Sequence, residues 1–293
     1  MKKNRIETRF LNVLTDFGFH RIFGTESSKS ILINFLNEII KEEGLITEIE
    51  YLPTRQQGFS ERERKAVFDI FCTNEKGEYF IVEMQKAKQK HFRDRSLFYT
   101  SLPIRKQSPR GKWDFNLKAV YLVAILDFVL FNEFKEDRNY VIEHVSLMRE
   151  RTKTIFSKKL KFVFVELPKF TKTENELKTN FDKWLFSLKN MHLLEKRPQI
   201  VQGEIFEELF QIAETDNLTD EEMRTYKKSV LEYRDVQDSI LLSREEALEE
   251  GRKTGLQEAN ITFIRKCFQK NIPIEDIVFL TGFSKDNILQ YSN

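Results

Sequence analysis

Asp69 and Glu83 are the residues of this chain whose types and spacing most suggest chemistry, because each interrupts an apolar stretch, "FDIFC" and "YFIVEMQ". A carboxylate on a buried strand is costly unless something compensates it. Two apposed acids can share a proton, pair with a basic side chain, or bind a hard divalent cation through oxygen. One acid at an exposed strand end, or in a salt bridge, is the plainer alternative. Gln85 shares Glu83's face by strand alternation, while Lys86 falls on the other. Its amide can orient a water but cannot serve as a base near neutral pH.

Whether the two acids meet depends on one turn. If Glu75, Lys76 and Gly77 form a three-residue loop, with Gly77 supplying a positive φ, then Asn74 pairs with Glu78. Counting back, Asp69 lies opposite Glu83, with Cβ atoms only ~5 Å apart. A slip of one residue would send them to opposite faces. The segment that follows is basic: residues 84–113 hold nine Lys or Arg and a single acid, Asp94. Residues 203–222 hold eight acids and no Lys or Arg, so a polyanion is drawn to the first region and repelled by the second. Arg93 and Arg95 fall near enough to the hairpin to face one cleft, with Tyr99 about one turn beyond Arg95. Guanidinium groups grip phosphate bidentately.

The elements that must position these residues follow from periodicity. Thr15 and Asp16 offer helix caps for "FGFHRIF". Ile31, Leu32, Phe35, Leu36, Ile39 and Ile40 recur at helical spacing, with Gly44 placed to end that helix. "LITEIEYLPT", "KAVFDIFCT" and "EYFIVEMQ" read as three strands. "HFRDRSLFYTSLPIRKQ" suits a helix that Pro103 should kink or end. "LKAVYLVAILDFVL" reads as a strand covered on both faces, and "LKFVFVELPKF" as another after a loop. A helix is expected from about Glu174 to Lys189. The order predicts an α/β domain, a mixed sheet flanked by helices.

Composition narrows the function classes. With 293 residues, 40% of them hydrophobic, the chain can build one large domain or a main domain with an appendage. Two cysteines, Cys72 and Cys267, argue against a disulfide framework or a zinc cluster and for a reducing, cytoplasmic compartment. No apolar run approaches the ~18 residues of a membrane span, so no membrane association is expected. His20, His91, His144 and His192 form no metal-spaced pair, although His91 adjoins the basic helix. Phosphate-loop and dinucleotide fingerprints are both missing, so no nucleotide cofactor is expected.

Asp69, thirteen residues, then Glu83-Met84-Gln85 resembles the core motif of the PD-(D/E)XK nuclease superfamily, in the variant with glutamine for the final lysine. "TDFGFHRIFG", "FDIFC", "IVEMQ" and "RDRSLFYTS" together resemble the Rpn branch, the recombination-promoting nucleases and related transposases, over roughly residues 15–170. The resemblance implies a restriction-endonuclease-like fold and Mg²⁺-dependent hydrolysis of DNA phosphodiesters, with Mn²⁺ as a substitute ion. Asp69, Glu83 and the Met84 carbonyl would be the metal ligands, and Gln85 would stand where the family has its general-base lysine. Arg93, Arg95, Tyr99 and Lys86 would contact DNA. Asp16 resembles the acid that opens the family's first motif, though it reads chiefly as a cap. Because Gln85 cannot deprotonate water, the base is left unassigned.

The expected division is a nuclease domain at 1–237 and a helical tail at 238–293. In the tail, Gly251 and Gly255 interrupt a charged helix, and three short helices follow. Pro273 suits an early helix position, Gly282 a C-cap and Ser284 an N-cap. The end has a helix-turn-helix look, but "SKDNILQYSN" has one Lys and one Asp, which favours packing or homodimer formation over DNA readout. Two other readings accompany the nuclease: a DNA-binding relative with weak or lost catalysis, and a regulator or assembly module acting through the tail.

Overall fold

The computed structural model describes residues 8–40, 44–56, 66–108 and 114–291. Arg110 and Lys112 of the basic segment, and Lys65 at the start of one expected strand, lie outside the described residues. The chain divides into two compact units, Met1–Val236 and Gln237–Asn293.

The first unit opens with α1 (Asp16–Phe23) and α2 (Lys29–Ile39). Strands β1 (Ile49–Tyr51), β2 (Arg55–Gln56), β3 (Ala66–Val67), β4 (Ile70–Asn74) and β5 (Tyr79–Gln85) follow, then α3 (Phe92–Lys106) and β6 (Val120–Leu126). Next come β7 (Ile142–Met148), β8 (Ile155–Glu166), α4 (Asn180–Asn190), α5 (Glu204–Ile212) and α6 (Asp220–Gln269). The main sheet has the order β1-β4-β5-β6-β8-β7, while β2 and β3 form a separate ribbon. β5, β6 and β8 run parallel at its centre, and the other pairs are antiparallel. This is the mixed, helix-flanked sheet that the residue patterns predict.

Strand alternation divides β5 between two cores. Phe80, Val82 and Met84 join Phe23, Phe35, Trp184 and Phe206 from the helices on one face. Ile81 joins Phe71, Leu122, Phe164 and Phe92 of α3 on the other. Every residue of β6 is buried, as its apolar run predicts. Glu83 therefore belongs by parity to the face that α3 covers.

Several boundaries differ from expectation for identifiable reasons. α3 passes through Pro103 and continues to Lys106, with the ring buried and one N–H donor lost. α2 ends before Gly44, at the Ile40 C-cap whose N–H donates to the Leu36 carbonyl (2.9 Å). α4 begins only at Asn180, where Thr179 accepts from the Asp182 N–H (3.0 Å). The loop expected before "LKFVFVELPKF" contains β7, and β8 starts five residues before Leu160. A half-exposed hairpin arm with charges on both sides shows neither clean alternation nor a continuous apolar run.

In the second unit α6 runs unbroken through Gly251 and Gly255. Each glycine costs about 1 kcal/mol against alanine, too little to stop a helix rich in Glu, Leu, Lys, Arg and Ala. The first of the three expected short helices is thus the end of α6, followed by α7 (Ile274–Thr281) and α8 (Lys285–Leu289). Pro273 is the N-cap of α7, Gly282 its left-handed C-cap (φ 70°), and the Ser284 hydroxyl caps α8. Ile264, Cys267, Ile277 and Ile288 form this unit's own small core. Lys285 pairs with Glu275 (3.4 Å), which leaves α8 little free positive charge.

Candidate active site at the strand ends

The β4–β5 turn takes the expected form. Asn74 N–H donates to the Glu78 carbonyl (3.1 Å), Gly77 N–H donates to the Asn74 carbonyl (2.9 Å), and Gly77 adopts φ 73°. The Asn74 Oδ1 accepts from the N–H groups of Lys76 (3.0 Å) and Glu78 (2.9 Å), fixing the loop length and with it the register. The ladder runs from Thr73↔Tyr79 to Ile70↔Val82, so the next position sets Asp69 against Glu83.

At that step side chains replace the ladder. The chain bends at Asp69 between β3 and β4, rather than running as one strand through "KAVFDIFCT". Asp69 N–H donates to Glu83 Oε1 (3.2 Å), and Met84 N–H donates to Asp69 Oδ2 (2.9 Å). Each acid thus stabilises the backbone beside the other. A strand residue's N–H and C=O point to the same edge, so the Met84 carbonyl also faces Asp69.

A closed set of polar contacts surrounds Glu83, which is only 2% exposed. Gln85 Nε2 donates to Glu83 Oε2 (3.4 Å), and Gln89 Nε2 donates to Gln85 Oε1 (3.4 Å). Arg95 Nη1 donates to Gln89 Oε1 (3.0 Å), and Arg95 Nη2 returns to Glu83 Oε2 at 3.6 Å. The guanidinium also lies over the Tyr99 ring (4.8 Å), and Tyr99 packs edge-on against Phe68. Beside this set a cleft of about 630 Å³ opens, lined by Gln89, Lys90, His91, Asp94, Arg95 and Tyr99.

Electrostatically the nearby positive charge does not offset the burial of the two acids. Burial raises the Glu83 pKa, and the neighbouring Asp69 charge raises it further, against weaker lowering by Asp69 N–H, Arg95 and Gln85. Asp69 keeps much of its surface in solvent, yet its carboxyl is packed among protein atoms. That burial raises its pKa, opposed first by the Met84 N–H, while Asp16 raises it and Arg95 and Lys86 lower it. The pair favours holding a proton, or a cation in its place.

Not every expected residue converges here. Arg93 turns to Glu133 (2.5 Å) and the Leu130 carbonyl (3.4 Å), with its guanidinium over Phe131 (4.7 Å). Helix positions two apart do not share a face, so Arg93 and Arg95 diverge. Lys86 leaves Gln85's face for α1, where Nζ meets Asp16 Oδ1 (2.7 Å). Thr15, not Asp16, caps α1, its hydroxyl accepting from the Gly18 N–H (3.0 Å). Asp16 is instead close enough to Asp69 to raise its pKa. Gln89 escaped sequence reasoning, although its place four residues after Gln85 and six before Arg95 hinted at a bridge.

The donor set is one a small hard cation accepts: two carboxylates and a main-chain carbonyl, all oxygen. Among the described residues no group of three or more His, Cys, Asp or Glu gathers as a metal site. That fits an ion that takes only one or two protein carboxylates and completes its shell with water and phosphate.

No curated protein and no solved structure matches the chain. A family model described as PD-(D/E)XK nuclease family transposase matches residues 13–242, which takes in every residue of the site and all eight strands. With the acids facing each other at the end of a mixed sheet, the chain belongs to the PD-(D/E)XK nuclease family of transposases.

Proposed function

We propose that the protein is a Mg²⁺-dependent endonuclease that hydrolyses DNA phosphodiester bonds, with Mn²⁺ as a substitute, and that it serves DNA recombination or mobile elements. The observation that supports this most is the reciprocal engagement of Asp69 and Glu83, which concentrates two carboxylates at one point beside Arg95. Family membership supports the reaction class, hydrolysis at phosphodiester bonds.

In this reading Asp69, Glu83 and the Met84 carbonyl hold the cation. When bound, the ion polarises the phosphoryl oxygen and lowers the pKa of the attacking water. Gln85, tethered between Glu83 and Gln89, orients that water by hydrogen bonding and takes no proton. Arg95, on the cleft wall and 3.6 Å from Glu83, would grip the scissile or adjacent phosphate. Lys86 and Tyr99 lie at the margins, and Lys86 must leave Asp16 to meet a phosphate. Arg93 contacts DNA only if it leaves Glu133.

One observation favours a second reading, a DNA-binding relative without catalysis: Gln85 supplies no base. Supercoiled plasmid incubated with the purified full chain and Mg²⁺, Mn²⁺, Ca²⁺ or EDTA separates them. Nicking or linearisation with Mg²⁺ or Mn²⁺, lost in Asp69→Ala and Glu83→Ala at matched folding, is the expected result. Plasmid that is bound but never cut would favour the second reading.

A further inference from the structure

β7 and β8 extend beyond the sheet as an arm. β6 pairs β8 only from Leu160 onward, so, among the described residues, 155–159 have β7 as their one strand neighbour. The turn between them closes through Arg149 N–H to the Thr154 carbonyl (2.9 Å) and Lys153 N–H to the Arg149 carbonyl (2.9 Å). The surface of this arm is unusual in two respects. Phe156 is 73% exposed, and Met148, Ile155 and Leu147 are also exposed. Around them stand Arg149, Arg151, Lys153, Lys158, Lys159 and Lys161 against one acid, Glu150. The first five of these cations form no ion pair among the described residues.

We propose that this arm is a second contact for duplex DNA, separate from the cleft, holding the phosphate backbone on either side of a groove. The choice of DNA as the polyanion rests on the nuclease reading; the need for a polyanion rests on the arm itself. A second copy of the chain fits poorly, since like arms would bring their cations together. The shifts in register between Ser146 and Met148 also spoil the edge of β7 for strand pairing. A two-stranded ribbon matches the major groove's width of ~12 Å, and unpaired Lys and Arg are suited to displace phosphate counterions. Glu83 shares its sheet row with Ala124 and Phe164. Phe156 lies eight residues before Phe164, roughly 25 Å along β8, so the arm meets DNA well outside the footprint of the cut.

The test uses the full chain in EDTA, where binding is read without cleavage, with a fluorescent duplex of about 30 base pairs at about 50–200 mM salt. The triple variant Arg151→Glu/Lys158→Glu/Lys159→Glu should lose about tenfold or more in affinity, and its log–log salt slope should shrink by about 2–3. Phe156→Ser should weaken binding with the slope unchanged. Cleavage at saturating plasmid should stay at the wild-type rate in both. Wild-type affinity and slope in the triple variant, with Arg95→Ala impaired, would overturn the arm's role and leave the nuclease reading intact. A wild-type chain that binds no DNA overturns both, and a preference for anionic phospholipid vesicles over DNA overturns the arm as a DNA contact.

Discussion

Glu83 and Glu166 are both buried glutamates at the carboxyl ends of parallel strands, one on β5 and one on β8, yet their surroundings are opposite. Glu166 is 0% exposed and paired in charge: Lys169 Nζ lies 2.5 Å from Oε2 as an ion contact without hydrogen-bond geometry, and the N–H groups of Leu130 and Phe131 donate to Oε1. Glu83 accepts from the Asp69 N–H and from Gln85, but the nearest cation is a guanidinium 3.6 Å away and a second acid faces it. A buried carboxylate with a close cation fixes a loop; one set against a second acid favours a proton or a cation. Glu166 thus pins the segment after β6 to β8, while the charge at Glu83 stays opposed by Asp69.

The largest expected effect comes from breaking the Glu166 and Lys169 pair. Lys169→Met strands a buried carboxylate and should lower unfolding free energy by about 3–5 kcal/mol in denaturant titrations. Glu83→Gln should behave in the opposite way. The folded pKa of Glu83 is raised, so its charged form weighs against the fold as pH rises from the ordinary carboxylate range through the folded value. In metal-free solution Glu83→Gln should therefore be more stable than wild type at alkaline pH, by about 1–3 kcal/mol, with the gain vanishing below pH ~4. Equal stability across the whole range would contradict the burial and charge opposition ascribed to Glu83. If the fold gains while cleavage falls at least about 100-fold, the contrast with Lys169→Met is at its sharpest.

Divalent ions sharpen the comparison further. Mg²⁺ at about 10–100 times its dissociation constant should stabilise wild type by about 1.4–2.7 kcal/mol and leave Glu83→Gln unmoved. Asp16→Asn should change least. The ion pair it breaks is half-exposed, with Asp16 71% accessible, so stability should shift by less than about 1 kcal/mol. Its signature is a lower Asp69 pKa, readable by carboxyl NMR titration, because Asp16 is one of the charges that raises it.

The contrast also explains what could be read from sequence. The meeting of Asp69 and Glu83 was legible because Gly77 and Asn74 fix a short loop, and a fixed loop fixes parity. Strand β6 was legible because burial on both faces leaves no polar position. The divergence of Arg93 from Arg95 follows from helix geometry, but Glu133, Arg93's partner, is forty residues away and carries no local signal. Lys169 is likewise legible only as one more lysine near a strand end, since its burial beside Glu166 arises from the packing around the end of β8. Asp16 read as a cap because Asp commonly caps helices; Thr15 takes that role, and tertiary structure brings Asp16 to Lys86. The arm of β7 and β8 was missed because exposed strands lack the alternation that burial imposes.

The central claim, that Asp69 and Glu83 together hold a divalent cation, is tested most directly by Mn²⁺ binding followed by electron paramagnetic resonance. The signal of free Mn²⁺ should fall on titration into the wild-type chain, and it should stay at the free-ion level in both Asp69→Ala and Glu83→Ala when each is shown to be folded. Wild type that leaves Mn²⁺ free, or variants that bind it as wild type does, would contradict the account.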